Sequence, residues 1–471
     1  MTSEFLSVFV ETKPVLDPGF VPAVLWNKAY GDAVAQTAEG RRIVIALERS
    51  NGSVSTCATE IFPHAGGYRK LNLKYIERLA KFLLWMKGGY RLTIAGCDAL
   101  ADDIRKIYSA TGARAFDCGL VGERIYGRKF EVVACPFSEA PERREVRQRL
   151  GGHWDGCRIG FDLGGSDRKC AAVKDGEVVF TEEVAWSPYF EKNPEYHRQG
   201  ILDSIRRAAE QLPRVDAIGG SAAGTYMDNV PRAASLFRGV SEEDFKKQVQ
   251  PLFTGIQKQY NVPLVVANDG EVTALAGSLS MKVNAIFGLS MGTSMAGGYV
   301  TAQGSITDWL NEVAFAPVDY RDDAPVDEWS GDRGCGVQYF SQQGVARLAR
   351  LAGIALPDDM PFPERLLEVQ HLMEKEDPRA RRIYETIGVY LAYSTVHYSQ
   401  FYDLENLLVL GRVTSGPGGD IMLQVAGEAL KQEFPAMAAK IKLQAPDERF
   451  KRHGQAVIAA SLPPLAPAQE K

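Results

Sequence analysis

RIGFDLGGSDRKCAAV, residues 158–173, decides the fold. An apolar strand carries one acid, Asp162, and runs into Gly164, Gly165 and Ser166 before a second strand begins at once. Taken alone, the stretch is a tight hairpin, since most glycine turns are only turns. Its chemical reading is a cradle for an anion, because glycines let backbone amides approach phosphate oxygens with no Cβ in the way.

The flanking sequence supports the second reading by repetition. RQGILDSIRRAAEQL places Ile201, Leu202, Ile205, Ala208, Ala209 and Leu212 at helical spacing. The strand VDAIGGSAAG then ends in small residues. PLVVANDGEVTALAGSL reads as a buried strand, a polar corner at Asn268-Asp269 and a helix. An Asn-Asp-Gly can also be a hairpin turn, but an apolar strand before it and a helical pattern after it favour the corner. VNAIFGLSMGTSMAGGYVT is two apolar strands around Gly292, Thr293 and Ser294, and NLLVLGRVTSGPGGDIMLQVAGEAL is strand, loop from Gly411, and helix. Residues 384–404 form a long aromatic-rich helix, and HGQAVIAASLPPL a short one.

Upstream, RRIVIALERSNGSVSTCATEIF reads as a hairpin, LKYIERLAKFLLWMK as a helix and YRLTIAGCDA as a strand. RIVIALERSNG aligns without a gap on RIGFDLGGSDR, with Ala46, Glu48 and Arg49 in the places of Asp162, Gly164 and Gly165. Either this is a degenerate copy with its chemistry erased, or a common unit has recurred. Residues 136–156, PFSEAPERREVRQRLGGHWDG, are charged and aperiodic and read as a connector.

The chain has 471 residues, 45% apolar and 24% charged, with a net charge of −5, which suits a multi-domain globular protein with no bulk attraction to nucleic acid. Residues 1–150 hold 22 Lys and Arg against 17 Asp and Glu, an excess better explained by a solvated face than by a nucleic-acid surface. Seven scattered cysteines without a Cys-x-x-Cys pair suggest free thiols in a reducing compartment. With no signal-like start and no run of about 18 apolar residues, the expectation is a cytoplasmic protein with no membrane partner.

On these motifs the chain resembles the bilobal ATPase superfamily of sugar kinases, actin and heat-shock ATPases, and within it the sugar-kinase half of the ROK family, over about residues 158–462. The resemblance implies an α/β, two-lobed, actin-like ATPase (ribonuclease H-like) fold with an additional N-terminal α/β domain. The implied boundaries are 1–140 for that domain, 141–156 for the connector, 157–275 and 276–462 for the two lobes, and 463–471 for a tail. It also implies ATP and Mg²⁺ as cofactors. Asp162 would hold Mg²⁺ through water, with Lys169 the nearest cation. Gly164, Gly165 and Ser166 would form the first phosphate loop, Gly292, Thr293 and Ser294 the second, and Gly411 would belong to the adenosine loop, where Arg412 replaces a usual glycine. Asp269 would be the general base, with Asn268 and Glu312 holding the acceptor.

Departures from the family pattern fall on the sugar side. A histidine that contacts sugar and zinc is replaced by Phe315. A sugar-contacting glutamate is replaced by Val337. Of three zinc-motif cysteines only Cys335 remains, with Glu328 and Ser330 in the other places. One thiolate without a histidine does not make a tetrahedral zinc site, so no zinc is expected. The implied activity is phosphorylation of a hydroxyl on a sugar or sugar-like small molecule, by a chain for which a homodimer is an open arrangement. The alternative is a regulatory sensor of sugar or nucleotide with weak turnover. A DNA-binding repressor is disfavoured, because residues 1–150 show no helix-turn-helix with a basic recognition helix.

Overall fold

The computed structural model describes residues 6, 8–145, 147–148, 150–446 and 448–465. Residues 466–471 of the expected tail lie outside the described residues. The chain divides into two compact units. One comprises Met1–Val146, Leu289–Gly297 and Asp308–Ala445; the other comprises Arg147–Gly288, Gly298–Thr307 and Pro446–Lys471. Residues 1–140, expected as a domain of their own, therefore share a unit with most of the chain after residue 308. The closing segment, expected with 276–462, belongs with Arg147–Gly288.

In the first unit, β1 (Arg41–Glu48) and β2 (Val54–Ile61) form the expected antiparallel hairpin. They are followed by α1 (Tyr68–Lys87), β3 (Arg91–Ala95) and β4 (Glu131–Cys135), in a sheet of order β2-β1-β3-β4. In the second unit, β5 (Cys157–Leu163), β6 (Asp167–Lys174) and β7 (Glu177–Ala185) form a meander. Asp175 and Gly176, both at positive φ, make the β6–β7 turn, as a two-residue loop of type I′ requires. After α2 (Pro194–Ala209) come β8 (Ala217–Ala222), β9 (Leu264–Asn268) and α3 (Asp269–Met281), and the sheet order is β9-β8-β5-β6-β7.

The likeness between the two hairpins ends at the hairpin. β3 runs antiparallel to β1, whereas β8 runs parallel to β5. A crossover helix delivers the next strand in the direction of the strand before it. Two strands precede α1 and three precede α2, so the following strands point opposite ways relative to the first. The N-terminal segment is thus not a topological copy of the second unit.

β10 (Ile286–Met291) and β11 (Met295–Val300) carry the chain out of the second unit and back. In the first unit, α4 (Pro378–Ser399) packs on α5 (Pro417–Glu433), with β12 (Asn406–Leu410) between them in sequence. α4 starts earlier than its aromatic pattern suggests. Asp377 caps it by accepting a hydrogen bond from the Arg379 amide, and Pro378 fills the first turn. The last described helix, α6 (Glu448–Ala460), lies on β5 and β8 in the second unit. No helix among the described residues is long and apolar enough to cross a membrane.

Alternation along β5 explains how an acid sits on a fully buried strand. Ile159, Phe161 and Leu163 point into a core shared with Ile201 and Ile205 of α2. Gly160 and Asp162 point to the other face. There Gly160 and its register partner Gly219 leave room for α6: a Cβ on either would collide with the carbonyl oxygen of Ala456 or Ala459. The next pair along the same two strands is Asp162 and Ser221. The glycines seat the helix, and the polar pair follows them at the strand ends.

Candidate active site

β5, β8 and β9 are parallel, so their carboxyl ends lie at one edge of the sheet, where α/β proteins commonly bind ligands. Asp162 is the penultimate residue of β5, Ala222 ends β8, and Asn268 ends β9. Asp162 is buried, and its Oδ1 accepts a 2.6 Å hydrogen bond from Ser221 Oγ. Burial pushes its carboxyl up to about 6; the Ser221 bond opposes the rise, the charge of Asp269 adds to it, and Lys169 partly offsets it. Lys169, Asp162's register partner on β6, sits 3.2 Å from Asp167.

Asn268-Asp269 is a strand-to-helix corner. Asn268 is the N-cap of α3, with its side-chain oxygen accepting from the Gly270 amide at 2.8 Å. Its side-chain amide donates to Gly224 O at 2.8 Å, leaving one amide proton for another acceptor. Asp269 is half-buried in the first turn of α3, and desolvation raises its carboxyl above the usual range despite its own hydrogen bond from the Gly270 amide. Two carboxylates, one of which feels the charge of the other, beside a single partly engaged lysine, form a donor set short of positive charge. A hard cation fits such a set.

The turn between β5 and β6 is closed from within. Gly164 N–H donates to Asp167 O, Gly164 O accepts from the Trp186 indole at 2.8 Å, and Trp186 N–H donates to Ser166 O. Gly165 is half-buried and Ser166 exposed at its tip. The structure thus brings Asp162, Gly164, Gly165, Ser166, Asn268 and Asp269 together in the second unit.

The remaining candidates belong to the first unit. Thr293 and Ser294 are exposed at the tip of the β10–β11 turn, and Gly292 is held by bonds from its amide to Ser294 O and from the Gln342 amide to its oxygen. Gly411 closes on this turn. At φ +104°, a conformation glycine tolerates, it would place a Cβ 2.5 Å from Met291 O. Gly292, Thr293, Ser294 and Gly411 are therefore neighbours. Glu312 is in the same unit: the amides of Asn311 and Glu312 donate to Met86 O and Trp85 O, carbonyls in the last turn of α1 that the helix itself leaves unpaired.

The residues in place of the family's histidine and cysteines have other partners. Phe315 packs 4.5 Å from Trp85 and 5.4 Å from Phe116, ring to ring. Val337 is buried. Cys335 lies 3.8 Å from Asp332, and burial pushes its thiol up to about 12. Asp332 is bridged by Arg78 and Lys81 from α1, each at 3.0 Å, and by Arg114 at 2.8 Å. Lys81 also bridges Asp117 at 3.2 Å, and the Trp85 indole donates to Asp117. Among the described residues no group of three or more His, Cys, Asp or Glu side chains could hold a metal ion.

Sequence reasoning missed Ser221, which is one of several small residues in VDAIGGSAAG until strand register sets it opposite Asp162. It also missed Tyr189 and Arg238. Their place near Gly165 depends on two loops meeting, which no local pattern encodes.

Three comparisons bear on this arrangement. A family model described as the ROK family matches residues 158–448. A ROK hexokinase from Thermus thermophilus is 17% identical, with 64% of this chain and 96% of that chain covered and a TM-score of 0.51. A ROK family transcriptional regulator, described as a homolog of the E. coli MLC protein, is 16% identical, with 65% and 78% covered and a TM-score of 0.50. At these identities the likeness establishes the fold, of the expected α/β class. No curated protein sequence matches the chain.

Proposed function

The chain belongs to the ROK family, and from that premise we propose that it is an ATP-dependent kinase acting on a hydroxyl of a sugar or sugar-like molecule. The observation that carries this reading is the Asp162–Asp269 pair at the carboxyl ends of β5 and β9, beside a glycine turn. Phosphoryl transfer needs positioning, charge neutralisation and one carboxylate to take the proton of the attacking hydroxyl. Asp269 is the candidate for that proton, its basicity raised by desolvation. Asn268 retains one amide proton to orient the acceptor, and Glu312 is the second acceptor contact that the family pattern implies. Gly164, Gly165 and Ser166 with Gly292, Thr293, Ser294 and Gly411 are the nucleotide candidates. The Gly164 amide is already used within its turn, so phosphate contacts there fall to Gly165 and Ser166.

Asp162 is the residue that would hold Mg²⁺ through water, and the ion supplies charge neutralisation on the nucleotide phosphates when bound. No zinc is part of this reading: the acid nearest Cys335 is already neutralised by Arg78, Lys81 and Arg114.

Phe315 in an aromatic cluster and Val337 in the core favour a second reading, a sensor that binds sugar or nucleotide with little turnover. A coupled ADP-release screen over hexoses, amino sugars and polyols separates the two, with Asp269→Asn as control. The kinase reading expects at least one acceptor to raise ADP release well above the variant's level. Nucleotide binding by calorimetry with no acceptor-dependent release would establish the sensor instead.

A further inference from the structure

Within the second unit a cation stands one aromatic ring away from the glycine turn. The face of Gly165 is covered by Tyr189, whose ring a Cβ on that glycine would overlap. Above the same ring, 4.2 Å from its centroid, lies the guanidinium of Arg238, which is also 4.6 Å from the centroid of Phe190. Tyr189 is within electrostatic reach of Asp269 as well as Arg238. Phe190 is 78% exposed, so its role as a prop for the guanidinium is not a by-product of core packing.

The two loops that make this contact are locked together. His197, fully buried, sets Nε2 3.0 Å from Pro188 O and 3.2 Å from Leu236 O, so one ring N–H is shared between the loop of Tyr189 and the loop of Arg238. Gly239 lets the backbones touch, since a Cβ there would fall 2.6 Å from Glu191 O. Among the described residues Arg238 is exposed and no carboxylate pairs with it; its contacts are the two ring faces. Stacking occupies the face of a guanidinium and leaves its in-plane N–H donors to bind an anion in fork geometry. A neutral sugar gives such a group nothing to neutralise.

We propose that Arg238, seated on Tyr189 and Phe190, is a specificity-determining residue that binds an anionic oxygen group on the acceptor, so that the substrate is a polyhydroxylated acid or phosphate rather than a neutral sugar. This rests on the kinase reading of the same site. The test is calorimetry on the full chain with Mg²⁺ and a non-hydrolysable ATP analogue, titrating hexoses, the matching sugar acids and the matching sugar phosphates. The expected result is that at least one acidic or phosphorylated probe binds about tenfold or more tighter than its neutral parent. Arg238→Gln should abolish that difference without changing affinity for the ATP analogue, and Arg238→Lys should restore part of it. The proposal is overturned if neutral sugars bind as tightly as every anionic probe, or if no anionic probe binds. It is also overturned if Arg238→Gln weakens the ATP analogue and spares the probes, which would assign the guanidinium to the nucleotide. A probe that binds in an Arg238-dependent way but is never phosphorylated would sustain this inference while removing the kinase reading.

Discussion

Asp162 and Asp269 are the two carboxylates of the proposed site, and their environments make distinct forecasts. Asp269→Asn keeps the shape of the α3 corner but cannot accept a proton. Acceptor-dependent ADP release should fall by about 10²–10⁴-fold, while the melting temperature holds within a few degrees. For Asp162, the folded carboxyl sits near 6 against an ordinary value of 3.8. A raised acid favours the protonated folded state. Its destabilising effect is therefore absent below 3.8, grows as pH rises to 6, and is complete above that, amounting to about 2–3 kcal/mol. In metal-free protein, Asp162→Asn should raise stability at pH 7 relative to wild type and leave it unchanged near pH 4. Denaturant melts at the two pH values measure both effects. Equal stability of the two proteins at pH 7 would show that Asp162 carries no such strain. At this scale much was legible. Asp162, the Asn-Asp corner and the Gly-Thr-Ser tip announce themselves by residue type next to apolar strands. Ser221 and Arg238 do not, because their meaning comes from partners 59 residues or a whole loop away.

Elements were readable where hydrophobic period and caps coincide, as in the β5–β6 hairpin, α2, and the β9–α3 corner. Direction and return were not. Whether a strand after a helix is parallel to the first depends on how many strands precede the helix, which separates β8 from β3. The seat of α6 on β5 and β8 was likewise hidden, because Gly160 and Gly219 look like ordinary strand weaknesses until a helix backbone lies on them. Gly219→Val should displace α6 and cost at least about 3 kcal/mol, with Asp162 becoming accessible to solvent; urea melts and backbone amide exchange along β5 read this out. On α4, burial holds the His397 imidazole near 3, far below its ordinary 6.5, with Phe82 only 4.4 Å away. A depressed histidine contributes stability that is complete above 6.5 and is lost as pH falls toward 3. His397→Phe should flatten the acid limb of the stability profile over that window. An unchanged limb would locate acid sensitivity elsewhere.

For the molecule as a whole, the family match begins at residue 158, but the first unit needs residues well before it. Carbonyls at the end of α1 hold the Asn311-Glu312 amides, and Arg78, Lys81 and Arg114 neutralise Asp332. Burial opposes the charge on Lys81, yet Asp117, Cys335 and Asp332 outweigh it and hold its pKa above the usual range. Removing one partner of such a cluster strands the others. Lys81→Met should cost about 3–5 kcal/mol, and adding Asp117→Leu should recover part of the loss. A chain lacking residues 1–146 should lose the cooperative thermal transition of the first unit; a sharp, unchanged transition would show that the segment is an appendage. This dependence could not be read from the sequence, because the buried charges of α1 resemble those of an ordinary solvated helix face.

The seat of α6 also bears on how the protein is made. β5 and β8 are translated early, but the helix that covers their glycine face is translated hundreds of residues later. At about 5–20 residues per second, the ribosome leaves that face open for on the order of tens of seconds. During that wait the Gly160–Gly219 groove and the strand end that carries Asp162 lack the helix that covers them.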